Sequence, residues 1–317
     1  MKRFKNILVL CDDDGIADSA FDRVSWLAEA NKARITLVDV IEETRSELTQ
    51  LFAGLGRIRS EEMANEVFAA RRARLEEFAA ILQQRGANAE IAVDTGTPFI
   101  EVIRRVLRDG HDLVIKTERG STTAPLLLSA DMHLLRKCPC PVWVLNSRLE
   151  ARSRRILAAV DPDPNDPVRD KLNHTIMQLA TSLAEQDDAR IDVMTVWSLP
   201  EESTLRHSGF AKVPEAEIRA LLAQQEKESA ARLAALTDDY ASFRSRMRIL
   251  HLKGFATDLL PDMADREEID TLVMGTVART GISGLFIGNT AESVLNRVKC
   301  SVLTVKPEGF VSPVTIG

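Results

Sequence analysis

The sequence predicts an α/β protein built as two tandem, doubly wound parallel-sheet domains. Three observations predict it. The chain repeats itself, each copy alternates β-branched runs with amphipathic helical patterns, and a strand, a glycine loop and a helix follow one another at 271–295. Strands that alternate with helices imply a parallel sheet covered on both faces.

The repeat is visible in four pairs of strings. Asn6-Ile7-Leu8-Val9-Leu10-Cys11-Asp12 matches Arg155-Ile156-Leu157-Ala158-Ala159-Val160-Asp161, each a short buried-strand pattern ending in Asp. Val93-Asp94-Thr95-Gly96 matches Leu252-Lys253-Gly254 at the glycine, and His111-Asp112-Leu113-Val114-Ile115 matches Ile269-Asp270-Thr271-Leu272-Val273. Cys140-Pro141-Val142-Trp143-Val144-Leu145 matches Cys300-Ser301-Val302-Leu303-Thr304-Val305. The spacing between copies grows along the chain, so the second carries an insertion. The polar stretch 197–215, punctuated by Pro200, Gly209 and Pro214, is the expected place.

Each copy reads in the same order. A first strand leads to a helix (18–31; 170–186), then a second strand (35–40; 191–196) and a long helix (about 60–85; 214–241) with apolar residues such as Leu75, Phe78, Ala79 and Leu82 at helical spacing. A third strand (90–93; 248–252), a helix opening at Pro98 or near Thr257, a fourth strand, a helix and a last strand complete it. The stretch 146–155 is charged and without apolar period. It reads as a linker and divides the chain into domains 1–149 and 150–317.

Composition narrows the function classes. The chain has 317 residues, 45% hydrophobic content, a net charge of −6 and only 5% aromatic residues. That charge argues against general nucleic-acid binding. The basic clusters Arg71-Arg72-Ala73-Arg74 and Arg244-Ser245-Arg246-Met247-Arg248 lack interleaved aromatics. The first, among Glu66, Glu76 and Glu77, reads as a solvated mixed-charge face. No run reaches the roughly 18 apolar residues of a spanning helix. The apolar run 7–11 is too short for a signal-peptide core, so no membrane and a cytoplasmic location are expected. Four cysteines without scaffold spacing fit a reducing compartment.

The stretch 271–295 carries the chemistry. Apolar Thr271–Met274 breaks at Gly275, small residues lead to Gly288, and a helical pattern opens at Thr290 or Ala291. Glycines allow close backbone approach to a phosphate, and the helix start offers free N–H groups. In doubly wound sheets ligands sit beyond the carboxyl ends of the strands, where Asp161 and this loop both fall.

These strings resemble those of the tandem universal stress proteins, and more narrowly their bacterial E type. The resemblance covers nearly the whole chain and rests on 156–161, 274–281, 288–292 and His133-Leu134-Leu135-Arg136-Lys137-Cys138-Pro139. It implies two adenine nucleotide alpha hydrolase-like domains that pair their last strands, 142–145 with 302–305, as an internal pseudo-dimer, with room for a further homodimer. It also implies a stress-response role and an adenine nucleotide, ATP with Mg²⁺, in the second domain. By resemblance Asp161 sits near ribose and adenine, Val196 offers backbone groups to the base, and Met274 lines its pocket. Gly275, Ala278, Gly288, Asn289 and Thr290 surround the phosphates.

The family's spacing of Gly, two residues, Gly, nine residues, Gly and a hydroxyl residue survives, but Ala278 replaces a glycine and Asn289 a hydroxyl residue. Those changes, with apolar Leu285-Phe286-Ile287, also suit a nucleotide-sugar or a partly apolar ligand, or a protein-interaction module without nucleotide. Structure alone accounts for several of the same residues. Asp161 can cap a helix, Met274 can be core, and Gly288-Asn289-Thr290 can be an N-cap. In the first copy Thr117 and Leu128 stand at the glycine positions, so a phosphate cradle is not expected there.

No catalytic set is expected. There is no GxxxxGK[ST] loop, no GxSxG elbow and no Ser/His/Asp grouping, so at most slow ATP hydrolysis follows. No metal site is expected either. Cys138-Pro139-Cys140, with His133 nearby, has no zinc spacing. The helix-to-strand turn is expected to aim the two sulfurs apart and leave Cys138, Cys11 and Cys300 as buried small hydrophobes. His111 and His251 are expected to border strands.

Overall fold

A computed structural model describes residues 4–11, 18–42, 57–118, 129–146, 148, 150, 152–200, 202–207, 213–276 and 288–316. Ten strands form one sheet: β1 (Asn6–Leu10), β2 (Arg34–Ile41), β3 (Ala89–Thr95), β4 (Leu113–Glu118), β5 (Val142–Asn146), β6 (Arg155–Ala159), β7 (Arg190–Trp197), β8 (Met247–Lys253), β9 (Thr271–Gly275) and β10 (Ser301–Val305). Their spatial order is β3-β2-β1-β4-β5-β10-β9-β6-β7-β8. Each half is therefore the same five-stranded parallel unit, and the two meet in mirror order.

Among the described residues the α-helices in chain order are α1 (Asp18–Asn31), α2 (Arg57–Gln84), α3 (Pro98–Asp109), α4 (Ser129–Lys137), α5 (Pro167–Asp187), α6 (Glu202–His207), α7 (Glu215–Asp238), α8 (Ala256–Arg266) and α9 (Asn289–Leu295). Side chains alternate across a strand. Ile7, Val9, Ile156 and Ala158 thus join one apolar cluster with α1, α2, α5 and α7. Leu8, Leu10 and Leu157 join the other, with α3, α4, α8 and α9. Each cluster runs through both halves, so the apolar layers cross the seam.

The halves join by antiparallel pairing of β5 and β10, with Val302 opposite Val144, Leu303 opposite Trp143 and Thr304 opposite Val142. The expected internal pseudo-dimer is thus a continuous sheet. On one face Arg23 of α1 makes a buried two-point ion pair with Asp187 of α5, at 2.9 and 2.8 Å. Arg23 also lies over the Trp143 ring, 5.1 Å from its centre. On the other face Arg136 of α4 pairs with Glu292 of α9.

Matched residues explain the repeat. Asp112 accepts from the backbone N–H groups of Lys5 and Asn6, at 2.6 and 3.0 Å. Asp270 does the same for Arg154 and Arg155, at 2.6 and 2.9 Å. Gly96 and Gly254 take φ of 137° and 151°, a region that disfavours side chains, between the third strand and the next helix of each half.

Four expectations need correction. The insertion does not lie chiefly within 197–215. Asn6 pairs with Arg34, whereas Arg155 pairs with Arg190, which places seven extra residues between β6 and β7. They lengthen the helical crossover: α5 has 21 residues and is fixed by Pro167 and by Asp166, whose side chain accepts from Val168 and Arg169. Amphipathic helix is easier to lengthen invisibly than a loop, because two added turns keep the apolar period.

The cluster at 71–74 is not wholly a solvated face. Arg72 pairs with Glu76 in the open, but Arg74 reaches the buried Asp39 of β2 at 2.8 Å, and Arg71 reaches it at 3.5 Å. The sulfurs of Cys138 and Cys140 do not point apart; they lie 3.5 Å from each other. Residues 138–141 bend between α4 and β5 and turn both side chains into the same apolar cluster. In addition, His251 lies inside β8 rather than at its border, while His111 lies two residues before β4.

Candidate nucleotide site

The order 3-2-1-4-5 within each half puts the topological switch between its first and fourth strands. In the second half that is the crevice beyond the carboxyl ends of β6 and β9. Asp161 follows β6 and Gly275 ends β9, so the fold brings together residues more than a hundred positions apart.

Asp161 leaves the sheet under side-chain control. Its N–H donates to Asn173 Oδ1 at 2.7 Å, and its carbonyl accepts from Arg169 Nε at 2.7 Å and Asn173 Nδ2 at 3.0 Å. Its carboxylate pairs with Arg169, which also reaches Asp163 at 3.1 Å. Asp161 therefore does not cap α5; Asp166 does. Arg169 and Asn173 are neighbours of the candidate site that the sequence pattern does not reveal. Both are ordinary helix positions by pattern, and only the turn that folds α5 back on β6 makes them neighbours of Asp161.

Val196 is placed by its ladder. The carbonyl of Met194 accepts from Val160 on the β6 side, and that of Trp197 accepts from Gly254 on the β8 side. Backbone polar groups alternate sides along a strand, so those of Val196 face the β6 side, past the strand's last residue. There they open on the crevice. Beside it Trp197 stacks on His251, ring centres 5.9 Å apart.

Met274 is 5% exposed and packs in the apolar cluster of α8 and α9, so it serves as core. Gly275 has a packing reason of its own. A Cβ there would stand 2.8 Å from Leu172 Cδ2 of α5, closer than carbon atoms approach. Thr276 is fully buried, and its hydroxyl has no hydrogen-bond partner among the described residues. Its carbonyl accepts from the Gly288 N–H at 2.9 Å, which ties the two ends of the loop together. Ala278 lies outside the described residues.

Gly288 is the N-cap residue of α9, with φ −64° and ψ 140° and no side-chain cap. Asn289 and Thr290 form the first exposed turn. The expected cap at this stretch is thus made by the Gly288 backbone rather than by the Asn or Thr side chain.

The first half fills the equivalent places with charge. Lys116 of β4 reaches Asp131 of α4 at 2.7 Å and also pairs with Glu118. Lys116 and Asp131 are 9% and 1% exposed. Thr117, at the first glycine position, is buried, and Leu128 lies outside the described residues.

The family model described as "Universal stress protein family" matches residues 3–146 and again 152–306. The chain is 29% identical to Universal stress protein E of Escherichia coli (strain K12), over all of this chain and 98% of that one. It is 26% identical to the Universal stress protein E homolog of Haemophilus influenzae, covering 96% and 98% of the two chains. Among solved structures, a putative universal stress protein from Pseudomonas aeruginosa UCBPP-PA14 superposes with a TM-score of 0.68. It is 25% identical and the match covers 97% and 95% of the chains.

Proposed function

The chain belongs to the universal stress protein family, and we propose that its second half binds an adenine nucleotide, ATP, beyond β6 and β9. The observation that carries this reading is the closed loop base. The Gly275-to-Gly288 spacing is kept, the Gly288 N–H holds the Thr276 carbonyl, and the buried Thr276 hydroxyl lacks a partner among the described residues. In this reading the backbone of Val196 meets the base and Asp161 meets the ribose. Gly275, Ala278, Gly288, Asn289 and Thr290 surround the phosphates, with Mg²⁺ as their counter-ion, and Arg169 holds the Asp161 carboxylate in place. The first half is the structural partner of this site within a stress-response protein.

Equilibrium dialysis with ATP and AMP tests the proposal. One nucleotide per chain is expected, and no binding at millimolar ligand overturns it. Hydrolysis is at most slow, so phosphate release with Mg²⁺ should barely exceed that of a Gly288→Val control.

One observation favours a different occupant. The space above Gly275 is taken by Leu172, which limits how closely a phosphate approaches that residue. A nucleotide-sugar or partly apolar ligand held farther out meets this constraint. Native mass spectrometry of protein purified without added ligand separates the two readings by the mass that co-purifies.

A further inference from the structure

The seam has two pseudo-equivalent ends, and they differ. Because β5 and β10 run antiparallel, the residues entering β5 lie beside those leaving β10. At one end Cys138 and Cys140 meet Lys306. The matched positions at the other end are Val298, Cys300 and Asn146. There Asn146 makes ordinary structural bonds: its Nδ2 donates to the Lys299 carbonyl at 2.7 Å, and its N–H to Ser301 Oγ at 3.0 Å. One end is thus an amide beside a single thiol. The other is an amine beside two.

Cys138 is fully buried, and Cys140 and Lys306 are each 9% exposed. The sulfurs are in contact at 3.5 Å. Lys306 donates to the Leu135 carbonyl at the end of α4, and its ammonium lies 5.1 Å from the Phe310 ring centre. Burial pushes the Lys306 ammonium down to about 8, against the attraction of the two cysteines. Zinc in a structural site takes four ligands, and no group of three or more His, Cys, Asp or Glu is gathered among the described residues. Two thiols in contact need only about 1.5 Å of approach to reach a disulfide bond length. A cation beside a thiol favours the reactive thiolate.

We propose that Cys138 and Cys140 are a dithiol that a peroxide converts to an intramolecular disulfide, with Lys306 as the group that takes and returns the proton. The Lys306 amine accepts the proton of Cys138, whose thiol is held below its ordinary value, against burial, by the hydrogen bond from Cys140 and the Lys306 charge, whereas the Cys140 thiol is pushed up by Cys138 and by burial. The thiolate attacks the peroxide O–O bond, giving a sulfenic acid at Cys138, and Lys306 returns its proton to the other oxygen, which leaves as water (for hydrogen peroxide). The Cys140 sulfur then attacks Cys138 Sγ, its own proton passing to the departing hydroxyl, which leaves as a second water. Two thiols and one peroxide yield one disulfide and two waters, and the lysine ends as it began.

The test uses the full chain, reduced, freed of reductant and treated with equimolar hydrogen peroxide. Trypsin releases residues 138–148 as one peptide containing both cysteines. That peptide should become lighter by two hydrogen atoms, while Cys11 and Cys300 remain alkylatable. Cys300, pushed up to about 12 by burial, is the internal control at the matched end. Lys306→Met should slow the conversion about tenfold, with Lys306→Arg no substitute because arginine does not give up its proton. Cys140→Ser should abolish the mass loss. An unchanged peptide, oxygen addition without hydrogen loss, or equal reaction of Cys300 overturns the proposal. An unchanged rate in a folded Lys306→Met protein overturns the role of the lysine.

Discussion

Lys116, Glu118 and Asp131 of the first half stand where the second half has Met274, Thr276 and Ala291. They lie on matched strands and helices, yet the chemistry is opposed. In the first half a lysine and two carboxylates satisfy each other across β4 and α4. In the second, methionine and alanine pack as core and a threonine hydroxyl has no partner among the described residues. A doubly wound sheet always leaves a crevice at its switch point. One half lines it with ions that pair with one another, and the other lines it with an apolar side chain and a buried hydroxyl. The difference teaches that the repeat preserves the crevice while each copy decides separately what occupies it.

The largest expected effect concerns the seam that makes the two halves comparable. Arg23 and Asp187 are buried together, and the first-helix position matched to Arg23 is the apolar Leu179. Removing one partner leaves an uncompensated buried charge, so Asp187→Ala should lose about 3–5 kcal/mol in urea unfolding. Arg23→Leu with Asp187→Asn copies the apolar solution and keeps an acceptor for the Ser153 N–H. It should recover at least half of that loss. A double variant as unstable as the single one breaks the idea that charge and apolar packing are interchangeable here.

A smaller effect is expected inside the first crevice. Asp131→Ala should lose about 2 kcal/mol, because a charge-assisted hydrogen bond goes while Glu118 still holds Lys116. Replacing all three residues by their counterparts, Lys116→Met, Glu118→Thr and Asp131→Ala, should restore most of this by removing every charge at once. The triple variant should still bind no second nucleotide, because Thr117 keeps its side chain at the first glycine position. Dialysis showing two sites per chain would mean that the ion cluster alone had closed the crevice.

Gly275 sharpens the comparison from the other side. Gly275→Ala should lose about 1 kcal/mol, since the added methyl meets a terminal methyl of Leu172 that is able to turn aside. Leu172→Ala in the same chain should relieve the contact. If stability recovers and nucleotide binding does not, Gly275 serves the ligand as well as the packing. If both recover, its glycine exists for Leu172.

The succession of strands and helices and most helix limits were legible because they rest on short-range pattern repeated twice, whereas the pairing of the last strands followed only from the family resemblance, and the spatial strand order and the antiparallel sense of the seam only from the structure. Asp112 and Asp270 announced themselves as a matched pair for a backbone reason that acts identically in each half. Legibility failed where partners are distant. Asp39 with Arg74, and Asp161 with Arg169 and Asn173, are contacts made by folding a helix over a strand, and no local period encodes them. The seven added residues escaped notice for the opposite reason, because whole helical turns leave the apolar period intact. The glycine spacing of the site was plain, whereas the packing role of Gly275 was not, since a glycine's neighbour is set by tertiary structure.

The smallest effect separates the halves by pH. His111 of the first half is 5% exposed and bonds Thr36 Oγ1 through Nε2 at 3.2 Å, whereas the matched residue of the second half is Ile269, also buried. Burial holds the His111 imidazole below its ordinary value of 6.5. As pH falls below about 6.5 the unfolded chain takes up this proton first, so the folded state loses stability toward and through the depressed value. Above 6.5 both states are neutral there and the contribution is constant. His111→Ile copies the second half and should flatten the fall in unfolding free energy between pH 7 and 5 relative to the parent chain. Carboxylates that titrate in the same range are common to both proteins and cancel in the difference. Parallel slopes for the two would mean that His111 accepts its proton in the folded state without penalty, and that burial at this position treats histidine and isoleucine alike.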